Sequence, residues 1–181
     1  SLRAHGWTRD LPDPSPIYER RESDFFEEYR FILPGYNVRP MEMNAAVGLR
    51  QLKKLPAMTA ARRRNLGAFQ DLFGADPRFI IQKENGESSS FCFTIILAPG
   101  LEKERGEVLG ALGENGIEHR IITGGNMLCN DVMKYFDYDV VGGATPNADT
   151  AHRRGFFVGN QPNDLRSRIE RLHQVLDEAL R

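Results

Sequence analysis

Apolar residues recur at helical spacing from Pro40 onward. Met43, Ala46, Leu49 and Leu52 stand three apart, behind Pro40 at a first helical position and Glu42 in a first turn, so residues 40–55 read as a helix. Pro56 removes a donor and disfavours helix at Leu55, yet Met58, Ala61, Leu66, Phe69, Leu72 and Phe73 resume the period until Gly74, a good helix stop. The pattern over 40–74 predicts two helices or one long kinked helix. Ser88 to Ala98 is short and rich in β-branched and aromatic residues, which predicts a strand over about Ser89–Ala98 ended by Pro99-Gly100. An amphipathic helix is expected over 102–115, closed by Asn115-Gly116, and Ile117 to Thr123 reads as a second strand broken by Gly124-Gly125-Asn126. Asp131 to Tyr135 and Asn147 to Arg153 suggest short helices, and Phe156-Phe157-Val158 a third short strand. Leu165, Ile169, Leu172, Leu176 and Leu180 mark a last helix, with Asn163 or Asp164 as its cap.

Residues 1–39 differ. Pro12, Pro14, Pro16 and Pro34 interrupt them, and Trp7, Phe25, Phe26, Tyr29 and Phe31 fall without a sustained period, which predicts a loop or arm leaning on something outside it. The expected organisation is therefore an arm over 1–39, a long kinked helix over 40–74 and a small α/β domain over 75–181. The fold class expected for that domain is α/β, more narrowly α+β: a three-stranded, mostly antiparallel sheet with helices 102–115 and 164–181 on one face.

Composition narrows the function classes. The 181 residues carry 24 Lys and Arg against 25 Asp and Glu, so no basic field exists to hold nucleic acid or an anionic membrane, and neither is expected as a partner. The longest apolar run, Phe91 to Ala98, falls far short of the roughly 20 residues a membrane helix needs. No charged start leads into an apolar signal segment, and Cys92 and Cys129 are too few for a disulfide scaffold, so the cytoplasm is the expected compartment.

The sequence offers little self-contained catalytic chemistry. His5, His119, His152 and His173 are widely separated and neither cysteine has a second ligand at metal spacing, so no metal site is expected; His173 reads as a surface residue and Cys92 as core. No nucleophile elbow, P-loop or Gly-x-Gly-x-x-Gly is present. Two segments remain. In Pro34-Gly35-Tyr36-Asn37-Val38-Arg39-Pro40, Asn37 and Arg39 precede a helix N-terminus, where an anion is favoured, although Asn37 bonding its own backbone at a helix entry explains the same residues. In Gly116 to Asn126, strand alternation places His119 and Ile121 on one face and Arg120 and Ile122 on the other, and the two charges call either for a partner or for solvent along an edge strand.

These segments carry a resemblance. Arg3-Ala4-His5-Gly6, the run Pro34 to Leu52 and Arg62-Arg63 resemble the C-terminal part of the pyridoxal-phosphate-dependent (PLP-dependent) nucleotide-sugar aminotransferases and 3-dehydrases of the DegT/StrS type. Gly116 to Asp137, Asn147-Ala148-Asp149 and Gly155 to Asn160 resemble the lipopolysaccharide-sugar branch of that family. The resemblance implies the small C-terminal domain of a fold-type I aminotransferase, with its Schiff-base lysine (histidine in the 3-dehydrases) upstream of Arg3. Lys53, Lys54, Lys83, Lys103 and Lys134 lack that residue's Gly-rich context, so no catalytic residue is expected here and the chain alone should be inactive. It further implies PLP as cofactor, a cytoplasmic homodimer, and a nucleotide-sugar substrate with an amino donor. Asn37 matches a residue that reaches the cofactor phosphate of the other subunit, with Arg39 beside it; His119, Arg120 and Asn126 match a segment near the sugar nucleotide. Amino transfer to a nucleotide-linked 4-keto sugar in cell-surface polysaccharide biosynthesis is the expected reaction. C3 dehydration of a 4-keto-6-deoxy sugar, or a non-catalytic interaction domain of the same ancestry, are the alternatives.

Overall fold

The computed structural model describes residues 3–8, 11–12, 16–20, 23, 27 and 29–181. The expected arm residues Pro14, Phe25 and Phe26 lie outside the described residues. The chain forms two compact units, Ser1–Lys53 and Lys54–Arg181.

In the first unit, two segments far apart in sequence pair as a ribbon. Ala4 bridges Asn37 and Trp7 bridges Phe31, both antiparallel. His5 N–H donates to Tyr36 O at 2.9 Å, Val38 N–H to Arg3 O at 3.1 Å and Ile32 N–H to Gly6 O at 3.0 Å. Two glycines make this approach possible. A Cβ on Gly6, at φ +84°, would lie 1.8 Å from Leu33 O, and one on Gly35 would lie 2.3 Å from Gly6 N. Thr8 Oγ1 donates to Glu27 O at 2.7 Å, and the buried Glu27 carboxylate meets Arg30 Nη1 at 2.9 Å. The unit ends in helix α1 (Glu42–Leu52), which buries none of its residues. It begins two residues after Pro40, with Met41 at the N-cap.

The second unit opens with α2 (Leu55–Phe73), a new helix in which Pro56 sits in the first turn, where a missing N–H costs no helical bond. Four antiparallel strands follow, β1 (Phe79–Ile81), β2 (Cys92–Leu97), β3 (Arg120–Ile121) and β4 (Gly155–Gly159), in the order β1-β2-β4-β3. The sheet is thus four-stranded where three strands were expected. Phe79–Ile81 pairs with β2 in the register Phe79 to Leu97, and three residues are too few to display an alternation in the sequence. The expected second strand shrinks to Arg120–Ile121, because Ile117 N–H bonds to Leu112 O and Gly124, at φ +76°, turns the chain away.

Helices α3 (Arg105–Glu114), α4 (Pro146–Arg154) and α5 (Arg166–Ala179) complete the unit, with two 3-10 turns over Met127–Cys129 and Asp131–Tyr135. Glu104 and Glu107 form a capping box at the start of α3. Alternate residues of β2 and β4 (Phe93, Ile95, Leu97, Phe156, Val158) meet Val108 and Leu112 of α3, Ile169, Leu172 and Leu176 of α5, and Phe69 and Phe73 of α2. Each fully buried large side chain contributes about 1.5–3 kcal/mol of transfer free energy. The Phe69 ring stacks on Phe73 and Phe93 with centroids 4.5 and 4.7 Å away. Cys92 is buried, as expected, and Cys129 exposed.

His173 departs from its expected surface position. Its ring packs edge-on against Phe73 at 5.1 Å and Nε2 lies 3.0 Å from Asp76 Oδ2. Arg78 grips the same carboxylate and reaches Asp177 at 2.8 Å, tying the end of α2 to the end of α5. The side-chain hydrogen bond from Arg78, more than any other influence, holds the Asp76 carboxyl down to about 2 from its ordinary 3.8. Among the described residues no helix is long and apolar enough to cross a membrane.

Candidate functional site

The loop from β4 into α5 fixes the site, and two buried asparagines hold that loop. Asn65 of α2 lies with Nδ2 2.7 Å from Asn163 O and 3.1 Å from Asn160 Oδ1, while its Oδ1 accepts from Leu165 N–H at 3.3 Å. Asn160 Nδ2 donates to Arg62 O and Ser90 O at 3.0 and 2.9 Å. The structure puts Leu165 at the N-cap of α5, and Asp164 Oδ1 accepts from Arg166 N–H at 3.1 Å. The first turns of α5 are thereby set opposite the segment that leads into β3.

A groove of about 980 Å³ runs between them, within the range of small-molecule sites. Its floor is core: Phe93, Val158, Leu165, Ile169 and Leu172. His119, Arg120, Arg168 and Arg171 also line it, and Phe91 and Phe157 stand edge-to-face with centroids 6.0 Å apart. His119 Nδ1 lies 2.9 Å from Ile117 O; a carbonyl only accepts, so Nδ1 carries the proton and Nε2 is the free position of the neutral ring. Arg120 Nη2 sits 3.9 Å from Glu118, a loose and exposed pair.

The five residues expected from the sequence therefore separate. His119 and Arg120 share the groove, which also recruits Arg168 and Arg171. Those arginines are legible as an i,i+3 pair on α5, but nothing in the sequence brings them to the groove that His119 lines. Asn126 is buried and does not line the groove. Its Nδ2 donates to Asp149 Oδ1 at 2.7 Å and Thr145 Oγ1 at 2.9 Å, its Oδ1 accepts from Leu128 N–H at 3.1 Å, and its N–H lies 3.3 Å from His152 Nδ1. All of its side-chain polar atoms are spent in holding the loop after β3. Asn37 and Arg39 lie in the first unit. Asn37 is exposed on the glycine-pinned ribbon, and the Arg39 guanidinium lies 6.0 Å over the Trp7 ring. The basic run His152-Arg153-Arg154 is structural in part: Arg154 Nε donates to Leu97 O at 2.9 Å and its Nη2 to Ala98 O at 3.1 Å. Among the described residues no group of three His, Cys, Asp or Glu side chains is placed to hold a metal.

Known proteins resemble this chain in sequence and fold. A GDP-4-keto-6-deoxy-D-mannose 3-dehydratase of Yersinia pseudotuberculosis is 46% identical over 177 residues, 97% of this chain and 45% of that protein. The structure of the E. coli GDP-4-keto-6-deoxy-D-mannose-3-dehydratase with bound hydrated PLP, 45% identical, superposes with a TM-score of 0.86 over 97% of this chain and 45% of that one. An aminotransferase of Helicobacter pylori involved in the biosynthesis of pseudoaminic acid shares the fold at 18% identity, with a TM-score of 0.72 over 99% of this chain and 44% of that one. The chain spans slightly under half the length of the relatives it matches. The DegT/DnrJ/EryC1/StrS aminotransferase family model matches residues 2–175, the family expected from the motifs, and the chain belongs to it.

Proposed function

We propose that this chain is the C-terminal part of a PLP-dependent 3-dehydratase acting on a GDP-linked 4-keto-6-deoxy sugar, in the making of cell-surface polysaccharide. The observation that carries the reading is the 46% identity over 177 residues to a GDP-4-keto-6-deoxy-D-mannose 3-dehydratase, against fold-level likeness alone to the H. pylori aminotransferase. This favours C3 dehydration over amino transfer, the reaction first expected. An arm, a linking helical segment over 40–74 and a small α/β domain remain the proposed division of labour, in a homodimer.

The residues present fit the phosphate end of PLP and not its covalent anchor. Asn37 offers an exposed amide on a pinned backbone, and Arg39 adds a cation two residues on. Lys53, Lys54, Lys83 and Lys134 are exposed and Lys103 lies 3.5 Å from Glu107, so no lysine of the chain is buried in a pocket. When bound, PLP supplies an electron sink for charge developing beside the carbon that loses its hydroxyl. In the proposed homodimer Asn37 would donate an N–H to a phosphate oxygen of the other subunit's PLP, and Arg39 would balance the phosphate charge. His119, its tautomer set by Ile117 O, presents Nε2 to a substrate hydroxyl, and Arg120 offers donors beside it.

The test is to supply the full-length protein with PLP, glutamate and GDP-4-keto-6-deoxymannose and identify the sugar product. A product lacking the C3 hydroxyl and carrying no nitrogen supports the dehydratase. A 4-amino sugar with its C3 hydroxyl intact overturns it in favour of amino transfer. The 181-residue chain alone should give neither.

A further inference from the structure

From Gly113 to Arg154 one residue alone is buried, and it is polar: Asn126. It stands where the chain leaves β3 through Gly124 and Gly125, at φ +76° and +50°, and the chain returns through Gly142 and Gly143, at φ +79° and +69°. Left-handed backbone is open to glycine and strained for a residue with a side chain, so each pair marks a sharp change of direction. Gly125 has a second reason to be glycine, since a Cβ there would lie 2.3 Å from His152 Nδ1.

Beyond Asn126, no residue between the two pairs is buried. The hydrogen bonds of Asp131 to Val141 stay inside the segment, as in Met133 N–H to Asn130 O and Phe136 N–H to Met133 O. Tyr135, Phe136 and Val141 are exposed and take no part in the core. What ties the segment down is its neck. Asn126 Nδ2 donates to Thr145 Oγ1 and Asp149 Oδ1, and Asn126 N–H to His152 Nδ1, so these partners all lie on α4 or at its N-cap. A surface excursion with its ends drawn together is the geometry of an Ω-loop. Here its order rests on one buried amide in place of apolar burial, and a segment with few buried apolar contacts opens well below the free energy of global unfolding.

We infer that residues 127–143 form a strap that opens and closes as one unit about the two glycine pairs, and that Asn126 is its latch, a positioning residue and not a ligand. Thr123, which lines the groove, directly precedes the first pair, so the latch also fixes one edge of the groove. Strap and latch lie wholly in the second unit, and neither depends on which reaction the protein performs.

Hydrogen exchange read by mass spectrometry on the full-length protein tests the latch. Asn126→Ala should speed exchange about 10- to 100-fold across 127–143 together, the scale of a lost buried polar network, while β2, β4 and α5 stay within about two-fold. Chymotrypsin should then cut faster at the exposed Tyr135, Phe136 and Tyr138. Asn126→Asp should release the strap further, because it loses both side-chain N–H donors and sets a carboxylate against Asp149. Combining Asn126→Asp with Asp149→Asn exchanges donor and acceptor, and should return strap exchange to within about five-fold of the wild type. Strap exchange unchanged in Asn126→Ala overturns the inference, as does acceleration of β4 and α5 in step with the strap. A combined variant that exchanges as fast as Asn126→Asp overturns it too. The dehydratase reading stands or falls separately, by its product assay.

Discussion

The two units spend their residues differently. Residues 54–181 bury an apolar cluster drawn from three strands and three helices, whereas residues 1–53 hold a ribbon of two paired segments and a helix that buries nothing. Yet the first unit carries the segment on which the family resemblance is most specific, Gly35-Tyr36-Asn37 within Pro34 to Leu52. Motif density thus runs opposite to burial: the second unit is defined by packing, which tolerates hydrophobic exchange, and the first by backbone approach and exposed polar groups, which do not. Eleven residues of isolated helix are marginal in water, and in α1 Met43, Val47, Leu49 and Leu52 are each at least 60% exposed.

The contrast is sharpest in core truncation. Phe156→Ala, at a fully buried position, should destabilise the second unit by about 3–5 kcal/mol, while Met43→Ala in α1 should stay within about 0.5 kcal/mol in this chain. Urea unfolding of both variants measures it, and comparable losses would break the comparison. The next largest effect is expected at Asn65→Ala, which strands Leu165 N–H and one acceptor of Asn160; about 3 kcal/mol is the scale for two buried polar groups left unmet. Hydrogen exchange should show the loosening concentrated at the start of α5.

Asn37→Ala sharpens the other side. In the full-length protein it should raise the PLP dissociation constant about 10- to 100-fold with thermal stability unchanged, as loss of a charge-assisted hydrogen bond from an exposed residue implies. A spectroscopic PLP titration reports it, and a large drop in stability with unaltered PLP binding would make Asn37 a residue of the ribbon only. The smallest effect is a pH response confined to the second unit. Asp76 is held down to about 2, below its ordinary 3.8, so its contribution is complete above pH 3.8 and is lost as pH falls through about 2. Asp76→Asn should remove that part of the acid unfolding curve, about 1–2 kcal/mol, leaving the remainder in place.

Periodicity and punctuation were enough for much of this protein. The spacing of Leu165, Ile169, Leu172 and Leu176 forces a helix with one apolar stripe, and the β-branched run before Pro99-Gly100 forces a strand, because both follow from local chain geometry and the need to bury one face. The motif residues likewise carried the family, since turns pinned by Gly6 and Gly35 admit few substitutions. Other features are long-range and leave no local mark. The strand Phe79–Ile81 exists because β2 offers it a pairing edge, and His173 is drawn inward by Asp76, 97 residues away in sequence. Asn126 looks like a binding residue beside two glycines, yet Thr145 and Asp149 consume its amide, partners that only the folded loop supplies. The groove shows the same limit: Arg168 and Arg171 are surface charges in the sequence, and the Asn65 and Asn160 network holds the loop that starts α5, which brings them to the groove that His119 also lines. Local patterns fix which residues form an element and which face it buries; the coincidence of charges from separate elements is set only when tertiary packing closes those distances.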